Sequence, residues 1–192
     1  MEASGNIWYI QRMKIAIATP FYPPETEEMA VYVKELAERL AERHDVTIVA
    51  YARLPEESPR VRIFAVSKRL PLPIRLVLYM IFLFRAVRKA DVLYAENGAS
   101  VELPAGIVAA LTRRPLFIHV GDKGATARAP MNFFLRRIER FAKRRARAVI
   151  TDTPMKRPEI LPFEPPPIEK EKSYCHSWDA HIKKLIDIFT HA

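Results

Sequence analysis

Residues 13–52 read MKIAIATPFYPPETEEMAVYVKELAERLAERHDVTIVAYA, and this stretch decides the fold class. Lys14 to Thr19 alternates as a strand and runs into Pro20-Phe21-Tyr22-Pro23-Pro24, where the prolines stop strand pairing. Over residues 28–44, Met29, Val31, Val33, Leu36, Leu40 and Ala41 recur on one helical face. Glu25, Glu27 and Glu28 stand at the start of that helix, where negative charge is favoured. Residues 45–52 form a short β-branched strand, the return of a βαβ unit.

Working outward, residues 61–66 predict a third strand at the sheet edge, and residues 76–90 an apolar helix with a basic end. Strands at 91–95, 115–120 and 148–152 alternate with helices at 100–112 and 131–146. The pattern specifies an α/β fold: a single Rossmann-like, doubly wound, mostly parallel sheet with helices on both faces. Residues 1–12 are an N-terminal extension to a lobe at 13–155. Six prolines within 154–167 make an extended connector, assigned to residues 156–177. Trp178, Ile182, Leu185, Ile186 and Phe189 then form the stripe of a terminal helix at 178–190, expected to pack back on the lobe.

The composition narrows the setting. The chain has 192 residues, 49% of them hydrophobic, enough for one domain with a sizeable core and too few for two of ordinary size. Its single cysteine, Cys175, excludes an internal disulfide and fits a reducing, cytoplasmic compartment. The longest uncharged apolar run, residues 76–84, is too short to cross a bilayer. Residues 1–12 lack the apolar core of a signal peptide. Many charges beside one Gln and three Asn are the usage of a thermophilic source.

The net charge of +9 favours anionic partners without naming one. Residues 70–89 combine an apolar stretch with Arg85, Arg88 and Lys89, so they read either as a helix buried against the sheet or as an interfacial helix in peripheral contact with the inner face of a membrane. The arginines of 136–147 read as a solvated face. Nucleic acid fits poorly, because aromatic interleaving is weak and no RNA-binding signature is present.

In an open α/β sheet, ligands gather at the carboxyl ends of the strands. Here those are the loops at 19–29, 96–102, 121–128 and 151–157. The chain has neither GxGxxG nor GxxxxGK[ST], so no standard dinucleotide or P-loop cofactor site is expected. The ligand-binding candidates are Tyr22, Glu27, Glu28, Asn97, His119, Gly121, Asp122 and Lys123. Glu27 and Glu28 either cap a helix or hold a sugar hydroxyl or cation, and they repel an anionic diphosphate. His119 is either a buried structural residue or a ligand contact. Gly121 and Gly124 make theirs the loop most able to approach a ligand by its backbone. Asp122 and Lys123 either bond a sugar or pair in solvent. His44, His176, His181 and His191 show no metal-ligand spacing and read as surface or helix-end residues. No catalytic residue and no metal site is assigned.

Residues 13–52 resemble the opening βαβ unit of the N-terminal lobe of family 4 retaining glycosyltransferases, which have the GT-B fold. ADVLYAENGASVELPAGIVAALTRRPLFIHVGDKGATARA (90–129) resembles the middle of that lobe, and RRIERFAKRRARAVITDTP (136–154) its approach to the interdomain boundary. SYCHSWDAHIKKLIDIF (173–189) is similar to the family's C-terminal helix, which crosses back onto the N-terminal lobe. The resemblance implies a glycosyltransferase-like lobe without the C-terminal, donor-binding lobe. Glu27 and Glu28 stand where the family usually carries Gly-Gly, and the family's usual histidine falls on or beside Gly121, with His119 displaced from it by two positions. The function expected from the resemblance is an acceptor-binding or membrane-facing subunit of a split nucleotide-sugar glycosyltransferase, inactive as an isolated chain. The partner would be a donor-binding subunit or a second copy. The alternatives are a non-catalytic glycan-, lipid- or protein-binding module, and a basic nucleic-acid-binding domain.

Overall fold

The computed structural model describes residues 12–121, 124, 127, 132–154 and 168–191. Its elements are β1 (Lys14–Thr19), α1 (Glu28–Ala41), β2 (Asp45–Tyr51), β3 (Val61–Val66), α2 (Leu72–Val87), β4 (Val92–Glu96), α3 (Ala99–Thr112), β5 (Leu116–His119), α4 (Phe133–Arg145), β6 (Ala146–Ile150) and α5 (Ile168–His191). The strands form one six-stranded parallel sheet in the order β3-β2-β1-β4-β5-β6. The order reverses between β1 and β4, so the carboxyl ends of these two strands flank the switch point. β1 and β4 lie inside the sheet and read as nearly continuous buried runs, whereas the edge strands β3 and β6 alternate.

Alternate residues of each strand serve two cores. Ile15, Ile17, Ile48, Tyr94 and Phe117 meet α1 and α5 on one face. Ala16, Ala18, Leu93, Ala95 and Ile118 meet α2, α3 and α4 on the other. The small side chains on the second face let three helices come close. Gly106 extends this economy to the helix layer, since a Cβ there would meet the Phe141 ring of α4 at 2.7 Å.

One tyrosine replaces a backbone bond that the sequence forgoes, and a second supports it. Pro104 lies inside α3 and has no N–H for the Ser100 carbonyl one turn back. The Tyr51 hydroxyl donates to that carbonyl at 3.1 Å. Tyr51 stacks on Tyr79, whose hydroxyl reaches the carbonyls of Val49 at 3.0 Å and Thr19 at 3.3 Å. These contacts pin α2 and α3 where β1 and β2 end.

Of the boundaries that differ from the sequence expectation, two helix starts differ most. The last helix begins at Ile168, not Trp178, so the later part of the assigned connector is helical. Glu169 and Glu171 in its first turn complement the helix dipole, and the following lysines are good helix formers. α2 begins at Leu72, because Pro71 and Pro73 sit at the cap and first turn, where no intrahelical N–H is needed. Residues 1–11 and 155–167 lie outside the described residues.

α5 lies beside α1. Tyr174, Trp178, His181, Leu185 and Phe189 form its buried stripe. Phe189 packs against Phe117 and Tyr94, while Trp178 stacks on Tyr32 and carries the Arg39 guanidinium on its ring. A fully buried side chain of this size contributes about 2 kcal/mol. No helix among the described residues is long and apolar enough to cross a membrane.

Candidate functional site

At the carboxyl end of the sheet, Glu96 closes β4 and His119 closes β5, and the two are paired in register. Both point to the α1/α5 face and are fully buried. His119 Nδ1 lies 2.9 Å from Glu96 Oε2, and Nε2 lies 3.1 Å from the Asp152 carbonyl. A carboxylate and a carbonyl can only accept, so forming both bonds at once puts a proton on each ring nitrogen. Burial alone would lower the His119 pKa. The charge and hydrogen bond of Glu96, with the Asp152 carbonyl, outweigh it and hold the ring above its ordinary value.

The ring stacks on Tyr32 of α1, with centroids 4.8 Å apart, and on Tyr94 of β4 at 5.9 Å. Both π faces suit a cation. The two tyrosine hydroxyls share a 2.8 Å hydrogen bond, and Tyr32 is also 2.8 Å from His181 Nε2 on α5. Burial, and then the neighbouring His119 charge, push His181 down to about 4, so it is neutral near pH 7. Lys184 of α5 donates to the Asp152 carboxylate and lowers its pKa by that bond and its charge. A charged and aromatic network thus joins three strand ends to both helices of one face.

The other sequence candidates surround this network. The Tyr22 ring is in the core, and its hydroxyl has no partner among the described residues; burial and then the charges of Glu38 and Glu56 push it up to about 12. Glu25 pairs with Lys68 at 2.5 Å, while Glu27 and Glu28 are exposed at the start of α1. Glu27 is the N-cap residue, but its side chain makes no capping bond. Asn97 is buried, and its N–H donates to the His119 carbonyl at 2.9 Å. Gly98 follows at φ 137°, a conformation open to glycine, and its carbonyl starts α3. Gly121 lies under α1, where a Cβ would come within 2.2 Å of Met29 Cε and 2.7 Å of His119 Cε1. Its close approach is therefore to the protein's own core. Asp122 and Lys123 lie outside the described residues.

His44 and His181 are corrections to the surface reading, both being buried. The N–H of Met13 donates to His44 Nδ1 at 3.3 Å, and burial lowers the His44 pKa. His181 falls between Trp178 and Leu185 on the apolar stripe, a spacing that marks it as inward-facing. His176 and His191 are exposed. Glu96, Tyr32 and Tyr94 were not anticipated as members of a site; Glu96 is marked only by being a carboxylate at the end of an otherwise apolar strand.

Residues 28–168 match the family described as glycosyl transferase 4-like domain, which is most of the chain. The chain belongs to this family. No curated protein matches it significantly. Among solved structures, this glycosyl transferase 4-like lobe is similar to Anabaena Alr3699/HepE in complex with UDP and glucose, with TM-score 0.54 and 15% identity over 86% of the chain and 41% of that structure. It is also similar to a putative UDP-N-acetylglucosamine 2-epimerase from Listeria monocytogenes, with TM-score 0.50 and 11% identity over 86% of the chain and 43% of that structure. At such identities the likeness is one of fold. The lobe spans about two fifths of the length of these structures.

Proposed function

We propose that this lobe is the acceptor-binding side of a nucleotide-sugar glycosyltransferase, working with a donor-binding lobe carried by another polypeptide and not transferring sugar alone. The observation that carries this reading is the charge at the carboxyl end of the sheet. His119 is buried, paired with Glu96 and covered by α5, so its charge is not offered to a ligand. Among the described residues at that end, Lys68 and Lys184 are paired with Glu25 and Asp152, while the exposed Arg53 and Arg69 follow β2 and β3, on the edge side of the switch point between β1 and β4. The exposed carboxylates on the first loop are Glu27 and Glu28. A nucleoside diphosphate needs preorganised cations or open backbone N–H groups, whereas a carboxylate rim suits the hydroxyls of a neutral sugar. Family membership supports the sugar as the ligand class.

Calorimetric titration with UDP and with neutral oligosaccharides tests the reading. The expected result is oligosaccharide binding weakened about tenfold in Glu28→Ala, no measurable UDP affinity, and no turnover of nucleotide sugars by the chain alone. Micromolar UDP binding, or turnover without a second polypeptide, would overturn it.

A further inference from the structure

α2 is apolar on both of its sides. Tyr79, Leu83, Ala86 and Val87 face the sheet, yet Leu72, Ile74, Val77 and Ile81 are between 47% and 54% exposed. Ile74, Val77 and Ile81 follow helical spacing along the outward face, and Arg85 and Arg88 continue the same stripe. Phe64 of the edge strand β3 stacks on Phe82 and widens the apolar strip. An inward face explains only half of this helix.

The charge along the strip is predominantly positive. Residues 67–90 contain six Lys or Arg and no Asp or Glu. At the end of α2, a groove of about 590 Å³ is walled by Phe64, Ile81 and Phe84 and rimmed by Arg62, Arg85 and Arg88. Asp45, which also lines it, is neutralised by Arg12 at 2.7 Å. The same helical layer presents exposed Phe133 and Phe134 on α4, whose six cations oppose Glu139 alone. On the opposite face, α1 and α5 mix both signs.

We infer that the outer face of α2 docks the lobe on an anionic lipid bilayer, with Ile74, Val77 and Ile81 entering the acyl boundary and Arg62, Arg85 and Arg88 holding lipid phosphates in the groove. Interfacial helices bind by this combination of buried apolar area and cationic rim. The alternatives fit less well. A phosphodiester backbone has no use for an exposed aliphatic stripe. A second copy using the same face would set two predominantly cationic surfaces against each other. The surface is separate from the buried network at the strand ends, and the inference does not rest on sugar transfer.

Sedimentation of the full chain with vesicles tests it. Binding to phosphatidylcholine vesicles containing 30% phosphatidylglycerol should exceed binding to pure phosphatidylcholine by roughly tenfold or more. Arg85→Ala with Arg88→Ala should cost roughly tenfold, and Val77→Ser with Ile81→Ser a comparable factor, with circular dichroism unchanged because these side chains are exposed. Equal binding to both vesicle types, no binding, or variants that bind like the parent would overturn the inference. So would a concentration-dependent dimer abolished by Val77→Ser with Ile81→Ser, or duplex DNA binding that falls with the arginine variant while vesicle binding does not.

Discussion

The Tyr32 hydroxyl on α1 and the His181 imidazole on α5 lie 2.8 Å apart although 149 positions separate them in sequence. The bond is buried, and Tyr32 also stacks on His119 and on Trp178. One side chain of the first helix therefore touches a strand end and the last helix together. Seating α5 and ordering His119 are parts of one packing event.

His181 makes that seating sensitive to acid. Its folded pKa is near 4, below its ordinary value of 6.5. Its contribution to stability is therefore present above about pH 6.5 and is lost as pH falls through about 4. Thermal melts across this window should show a smaller acid-induced decrease in His181→Asn than in the parent, after both are referenced to pH 7.5. Equal slopes would mean that other groups carry the acid response.

The Glu96 carboxylate faces a ring that needs both protons. Glu96→Gln preserves an acceptor but removes the countercharge, which should destabilise the lobe by about 3 kcal/mol in urea unfolding. It should also lower the His119 pKa as followed by imidazole NMR. In the parent, the stabilisation from the raised His119 pKa is complete below about pH 6.5 and is lost as pH rises through the folded value. Glu96→Gln should flatten that loss.

Glu102, in the first turn of α3, is buried beside α4. Burial, then the charge of Glu139, raise its pKa to about 7 against the partial relief of Lys143. A carboxyl raised in the folded state favours the fold below its unfolded pKa near 4.5 and loses that advantage as pH rises through about 7. Glu102→Gln should therefore stabilise the lobe at pH 8, by about 2 kcal/mol, and leave it nearly unchanged at pH 4. Melting temperatures at the two pH values decide it.

Gly121→Ala places a methyl group against Met29 Cε and the stacked His119 ring. The methionine tip can move, but the imidazole is held by two hydrogen bonds. The expected cost is about 1–3 kcal/mol. A second change, Met29→Ala, should recover only part of it, as measured by denaturant midpoints.

The sheet was legible because its signals are local. Residues 14–19 alternate, prolines follow, and a 3.6-residue period begins at Glu28, each readable without knowing what packs where. The start of α5 was less legible because residues 169–177 are mostly polar and gain their meaning from Tyr174 docking on α1, where it donates to Glu35. The carboxyl-end loops could be located from topology alone. The network inside them could not, since Tyr32, Glu96, His119 and His181 come from four elements and no spacing links them. Even the helical stripe, which marks His181 as inward, does not say that a tyrosine awaits it.

The helix that covers Tyr94 and Phe117 is also the last part of this lobe to leave the ribosome. All six strands are synthesised before it, so one half-face of the sheet stays bare during elongation, for a time set by a rate of about 5–20 residues per second. A nascent chain stalled in that interval carries an open apolar surface beside a His119–Glu96 pair that has lost its α5 cover. A message truncated within α5 would therefore yield an aggregation-prone product and a client for holding chaperones, not a smaller functioning lobe.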